Sequence, residues 1–582
     1  MNDASPASRR SPFGPAPAIR LIWPAFGAIL VLTGLLVPSA TWIDWFQHPI
    51  RVERSGGVPE TTIAGVRLLR GCLVVAGVAW SVLLPSLAWM DRRHPTEPRP
   101  GRADVSRWSL ALLLLIVVAG LIPRALRLQE SLWYDEIAAL ISSSLHGVGP
   151  ALGNYHALAN HALHSAAAAV SVQQLGQHDA ELALRLPAFL AGVAGIPARL
   201  GLGRIVDGER LGLLGAFVIG LMPVAILEGA EARGYSLMML CTILATGHWL
   251  RIRDGRWNSV GLYALVVAVG CWSHLVFACV PLGHAAQALL RPWRHPEDRS
   301  VAWRWWTSLA LAGFTSLMVL SPLLPDLLER RTEFIALDGD EPSPLGAEGL
   351  HTLLQLGGSW TWWAALPGLG LFVLGLTESR RWPRLSVAVH AGLAGGIIGL
   401  ALTILGGSWL YARFLVFLLI PASLLIASAL AGLAHFGRRA EPAVLAGAFL
   451  TTTWLTSLAL LPAKQPIRDA VALLRSETAT DDSAWSIGLG DDVAMFYTEG
   501  RGPRLVHAPR LGANLDRDML AVGPDAAIML YPDLVSEETW TRLDEAGFRT
   551  LGRFPGWLDW GRGDVVVLGR PRASSPSKVD GG

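Results

Sequence analysis

Three short clusters of charged residues carry the chemistry this chain is equipped for. The first is Asp135-Glu136, within Ser131-Leu132-Trp133-Tyr134-Asp135-Glu136. An ionised carboxylate there accepts a proton from an incoming hydroxyl or amine. Two adjacent acids are costly to hold at a bilayer surface, which points to their use in a reaction. Their competing use is electrostatic, because acids in a first helical turn favour the positive end of the dipole. The second cluster is Glu231-Ala232-Arg233-Gly234-Tyr235, a short turn between apolar runs. Arginine grips phosphate through paired hydrogen bonds and keeps its charge when partly desolvated. An ion pair from Arg233 to Glu231 or Glu228 is the competing role. The third cluster is Tyr411-Ala412-Arg413-Phe414. Alone, Arg413 reads as a long side chain snorkelling to lipid headgroups. Together the three supply one base, Asp135, and two phosphate-capable cations, Arg233 and Arg413.

The histidines are a separate question. His146, His156, His161, His164 and His178 all follow Asp135 within one loop. His161 and His164 stand at i, i+3 spacing, which on one helical face is a metal-binding pattern. No acidic cluster or third ligand is fixed by spacing, so a divalent metal is not favoured and no cofactor is expected. His274, at Ser273-His274, sits at a turn where it packs or touches substrate. Glu181 and Arg185 form an i, i+4 pair that reads as a structural clamp. Cys72, Cys241, Cys271 and Cys279 all fall in apolar segments and read as small hydrophobes, with no disulfide or metal spacing.

These groups must be positioned by a membrane-embedded scaffold. The 582 residues are 52% hydrophobic and 16% charged, with mean hydropathy +0.41. Apolar stretches of roughly 20 residues recur along most of the chain. They fall near 21–40, 70–90, 108–126, 185–203, 211–229, 235–250, 259–272, 275–290, 305–325, 361–377, 386–406, 414–434 and 443–462. This predicts a polytopic α-helical membrane protein with about 13 transmembrane helices. Residues 259–290 read as two short spans turning near Ser273-His274, because one helix of about 30 residues at about 1.5 Å each overshoots the bilayer core. Arginines gather in alternate connections, which places the N-terminus in the cytoplasm; a multi-pass protein of the inner membrane is expected. The loop 128–184 holds no lysine or arginine before Arg185 and is the clearest outward segment; Arg51, Arg54, Arg330 and Arg331 are exceptions to the rule. The net charge of +2 is spread in short clusters between spans and gives no nucleic-acid footprint. Tryptophans at 303, 305, 306, 360, 362 and 363 read as an aromatic belt.

Past residue 463 the pattern changes. Ala484–Leu489, Ala526–Tyr531 and Asp564–Leu568 read as strands, with helices at Arg468–Arg475 and Glu537–Glu545. The expected division is a tail and extra hairpin over 1–107, a transmembrane catalytic domain over 108–462, a small extracytoplasmic α/β domain over 463–572, and a disordered tail over 573–582.

At these residues the chain resembles the GT-C superfamily of integral-membrane glycosyltransferases. It is closest in style to the protein O-mannosyltransferase and lipid A aminoarabinose transferase branch. The matching pieces run in order: Leu132–Glu136, Asn160-His161-Ala162-Leu163, Glu181–Pro187, Glu231–Ser236, Ser273-His274, Tyr411–Phe414 and Gln465–Asp469. Alanine replaces the prolines usual after the histidine at Asn160–Leu163. The resemblance implies inverting transfer of a sugar from a polyprenyl-phosphate donor to a lipid, glycan or protein acceptor on the extracytoplasmic face, without a catalytic metal. It implies Asp135 as general base, Glu136 beside it shaping the acceptor site, and Arg233 and Arg413 steadying the phosphate, with Tyr235, His161 and His274 at the substrate. A transporter or flippase of lipid-linked sugars is the alternative. It calls for charges or broken helices near the bilayer midplane instead.

Overall fold

The computed structural model describes residues 17–93, 105–334, 346–436, 441–478 and 483–570, apart from 156, 158–159, 177–178, 297–298, 381, 409, 489–490, 499–503, 508–522 and 559–562. His156, His178 and the tail 573–582 lie outside the described residues. Each predicted apolar run falls on a helix. Among the described residues six helices are long and apolar enough to cross a membrane, or seven if Leu21–Leu36 and Ser39–Phe46, bent by 94°, form one span. The other runs give shorter or broken helices. Run 211–229 breaks at Met222 into Glu209–Leu221 and Pro223–Glu228, because Pro223 has no N–H to continue the ladder. Run 259–290 breaks at His274, whose extended backbone separates Asn258–Ser273 from the turn Leu275–Ala278. The break falls at the turn expected there.

Breaks free carbonyls that lipid cannot solvate. Arg124, buried in the helix Arg107–Leu126, meets that need at Met222. Its guanidinium donates to the carbonyls of Gly120, Gly220, Ile219 and Ala225. The turn that follows carries Arg233, so this clamp sets where the turn begins. Arg51, one of the exceptions to the charge rule, is accounted for by pairing. It forms a two-pronged bridge to the buried Asp326 at 2.8 and 3.0 Å.

The tryptophans depart from the belt expectation in part. Trp306 and Trp362 are exposed, but Trp305 is buried and stacked on Trp249, and Trp360 is buried against Trp557. Their indoles fill the helix bundle and the seam with the C-terminal region.

That region holds a five-stranded sheet, in the order β2-β1-β3-β5-β4. The strands are β1 (Ser483–Gly488), β2 (Arg504–His507), β3 (Ala526–Leu530), β4 (Arg549–Phe554) and β5 (Val565–Gly569). β2, β1 and β3 are parallel, while β5 runs antiparallel to both β3 and β4. The sheet is covered on both faces, so β1, β3 and β5 read as near-continuous apolar runs. One face, with Ala526, Ile528, Leu530, Val565 and Val567, packs on Ile467, Ala470 and Leu474 of the helix Ile467–Glu477. The same core takes in Leu132, Trp133, Ile137 and Leu140. The segment bearing Asp135 and the C-terminal sheet therefore share one buried apolar cluster.

Candidate active site

The helix Tyr134–Ser142 begins immediately after Trp133, which puts Asp135 and Glu136 in its first turn. Consecutive helical residues point about 100° apart. Asp135 faces a cavity of about 750 Å³, whereas Glu136 is wholly buried on the other side. Arg185 grips Glu136 at both oxygens, at 2.9 and 2.6 Å. The Ala232 and Trp133 amides donate to the same carboxylate at 2.6 and 3.2 Å. The expectation that Glu136 shapes an acceptor site beside Asp135 is therefore corrected: its oxygens are spent inside the fold. The Glu181–Arg185 clamp is corrected too. Arg185 takes Glu136, and Glu181 instead bonds Arg468 at 3.1 Å and Tyr497 at 3.0 Å.

The cavity gathers Asp135, Asn160, His161, Arg233, His274 and Arg413 at one part of its wall. The rest is apolar, formed by Leu275, Val276, Leu282, Leu320, Leu323 and Leu402 among others. Arg233 pairs with Asp135 at 3.3 Å, not with Glu231 or Glu228. Glu231 is held by Lys464 at 2.5 Å. Arg413 lies over the Tyr411 ring at 4.0 Å, and its loop is fixed where Glu348 accepts the Ala412 amide at 2.7 Å. Tyr235 is buried behind the wall, packed edge-on to His161 at 5.2 Å and tilted against His274 at 5.1 Å. His164 is buried away from the cavity, so the i, i+3 pair does not converge. Among the described residues no three His, Cys, Asp or Glu side chains are grouped to hold a metal ion. Burial, with Arg233 close by, holds the His161 imidazole well below its usual range. Burial and then Arg233 and Arg413 lower His274 to about 3.

Two features were not anticipated. Trp133 is buried within reach of three cations, with Lys464 Nζ 3.9 Å from its ring centroid and the guanidinium carbons of Arg413 and Arg233 at 5.5 and 5.9 Å. The negative face of an indole offsets part of their mutual repulsion. Lys464 carried a usable signal, since lysine occurs only there and at Lys578. The second feature is a strap from the C-terminal region. Leu132 N–H donates to Tyr497 Oη at 2.8 Å, and Tyr134 N–H donates to Gln465 Oε1 at 3.0 Å. Arg468 adds a bond to the Gln129 carbonyl at 2.9 Å. Tyr497 had no sequence signal because its partners lie hundreds of positions away. Tyr497→Phe leaves the buried Leu132 amide unpaired and is expected to cost about 1–3 kcal/mol. Thermal unfolding should report the loss, and hydrogen exchange should show faster opening at 131–134. Unchanged exchange there would rule the strap out.

No protein-family model and no curated protein matches the chain. Among solved structures, ArnT from Cupriavidus metallidurans bound to undecaprenyl phosphate is 15% identical over 81% of this chain and 99% of its own, with a TM-score of 0.50. The same protein in the apo state gives 16%, 79% and 98%, with a TM-score of 0.51. AglB from Archaeoglobus fulgidus, an oligosaccharyltransferase in complex with an inhibitory peptide and a dolichol-phosphate, gives 11%, 81% and 75% at 0.46. The two ArnT matches span nearly all of that protein, and the chain shares its fold, the GT-C-like arrangement expected from the sequence.

Proposed function

We propose that the chain is a glycosyltransferase moving a sugar from a polyprenyl-phosphate donor to a lipid, glycan or protein acceptor at the extracytoplasmic face, with inversion at the anomeric carbon. The observation that carries this reading is a single cavity joining a carboxylate and two guanidiniums to a long apolar wall. A polyprenyl phosphate has that same division between an anionic head and a hydrocarbon tail. The ArnT of the same fold was solved with undecaprenyl phosphate bound, which supports the class of donor.

The acceptor hydroxyl gives its proton to Asp135 while its oxygen forms the bond to the anomeric carbon. The carbon–oxygen bond to phosphate breaks, and its electron pair leaves on the phosphate oxygen. The phosphodiester donor carries one negative charge and the released phosphate carries more. Arg233 and Arg413 therefore bind the transition state better than the ground state. Before donor arrives, the Asp135–Arg233 pair at 3.3 Å neutralises both groups. A phosphate draws Arg233 toward itself and leaves Asp135 as an available base. The C-terminal α/β region, 463–572, lies on the extracytoplasmic side in this reading and holds the catalytic segment through its strap.

The test is reconstitution in vesicles with a labelled polyprenyl-phosphate sugar. Bond cleavage with transfer to an acceptor is expected; movement of intact donor without cleavage would support transport instead. Arg233→Ala is expected to lower kcat/KM for the donor by roughly ten- to hundredfold, the worth of hydrogen bonds to a charged group, with kcat sharing the loss. Loss of thermal stability in step with loss of activity would count against a phosphate role.

A further inference from the structure

The backbone fixes which nitrogen of two cavity imidazoles carries the proton. His161 Nδ1 accepts the Gly234 amide at 3.1 Å, and His274 Nδ1 accepts the Val276 amide at 3.1 Å. A backbone N–H has no lone pair, so each Nδ1 must be bare and each neutral ring carries its hydrogen on Nε2. Neither Nε2 has a hydrogen-bond partner among the described residues, and both side chains line the cavity beside Arg233 and Arg413. The rings are braced edge-to-face at 4.6 Å, with Tyr235 packed on both.

We propose that His161 and His274 are a pair of neutral donors that hydrogen-bond phosphate oxygens through Nε2–H. This rests on the phosphate-donor reading and deepens it. The two arginines draw an anion to this part of the cavity, and the imidazoles give it directed hydrogen bonds. Burial beside those arginines keeps the rings uncharged, which agrees with the bare Nδ1. Neither ring acts as the general base, because its free edge already carries hydrogen. Neither serves a metal ion through Nε2. That would need the proton moved to Nδ1, where it would point at the Gly234 or Val276 N–H. The neutral state also has a kinetic use. Two further cations would hold the product phosphate more tightly after transfer, whereas neutral donors add direction without adding charge.

Asparagine and glutamine separate this role from a structural one. Asn carries an acceptor near the Nδ1 position and keeps the backbone bond, but has nothing at Nε2. Gln reaches the Nε2 position with an amide N–H and abandons the backbone amide. The full-length protein in nanodiscs is titrated with a long-chain polyprenyl phosphate that bears no sugar. For both histidines, →Asn is expected to weaken binding by roughly ten- to hundredfold and →Gln by less than about threefold. The reverse order, or equal affinity of both variants, overturns the assignment. Absence of binding to the wild type overturns the phosphate reading and this assignment with it. Nitrogen NMR of the histidine-labelled wild type needs no variant to fold. It should show Nε2 protonated and Nδ1 bare between about pH 5.5 and 8, and an Nδ1–H ring or an imidazolium at either position overturns the proposal.

Discussion

Asp135→Asn is expected to lower sugar-transfer turnover by about 10²–10⁴-fold, the range for removing a positioned general base. Thermal stability should fall far less than turnover, because the asparagine oxygen still accepts from the buried Arg233 guanidinium. The Asp135 carboxylate is about a quarter exposed and touches one protein cation, Arg233. Its place in the first helical turn is worth about 0.3–1 kcal/mol at most, and an amide keeps part of that. The donor KM should hold or fall, because Arg233 no longer divides its charge between Asp135 and phosphate. That split between turnover and KM distinguishes a base from a binding group. Turnover within threefold of wild type, or a loss confined to KM, would end the assignment of Asp135.

The parts legible in sequence were those that solvent dictates. Apolar runs marked the helices because lipid admits no unpaired backbone, and the turn at His274 followed from the length of 259–290. Short apolar runs between helical segments marked β1, β3 and β5 as strands. β2 and β4 escaped: β4 is a largely exposed edge strand, Arg549-Thr550-Leu551-Gly552-Arg553-Phe554, with too little apolar signal. The three clusters, far apart in the chain, meet in the structure: one cavity brings Asp135, Arg233 and Arg413 together with His161 and His274. Composition could not separate Asp135 from Glu136. They are adjacent in the chain, and only the helix turns them to opposite environments. Nor could spacing decide the ion pairs. Glu181 and Arg185 are well placed for each other, yet a buried carboxylate 49 positions earlier in the sequence outcompetes Glu181. Desolvation explains that outcome, since Glu136 has no water to fall back on.

The same pairing predicts a large stability effect. Arg185→Ala is expected to destabilise the protein by about 3–5 kcal/mol, because it strands a buried charge and does not merely delete a bond. The Arg185 and Glu136 side chains are 4% and 0% exposed, so no water can replace the lost guanidinium. Arg185 also ties the carbonyls of Leu128, Glu130 and Ser131, at 3.0, 2.7 and 3.0 Å, which shape the approach to the Asp135 helix. Glu136→Gln placed on Arg185→Ala should recover part of the loss, because a neutral amide no longer demands a cation. The activity of the folded fraction should fall as well. Glu136 binds the Trp133 amide at the head of the Asp135 helix and the Ala232 amide next to Arg233. One carboxylate thus sets the distance between Asp135 and Arg233, and Arg185 keeps that carboxylate in place. Thermal unfolding in detergent and turnover per folded molecule measure the two effects separately. A variant that melts with the wild type would mean that Glu136 is held by its backbone bonds alone.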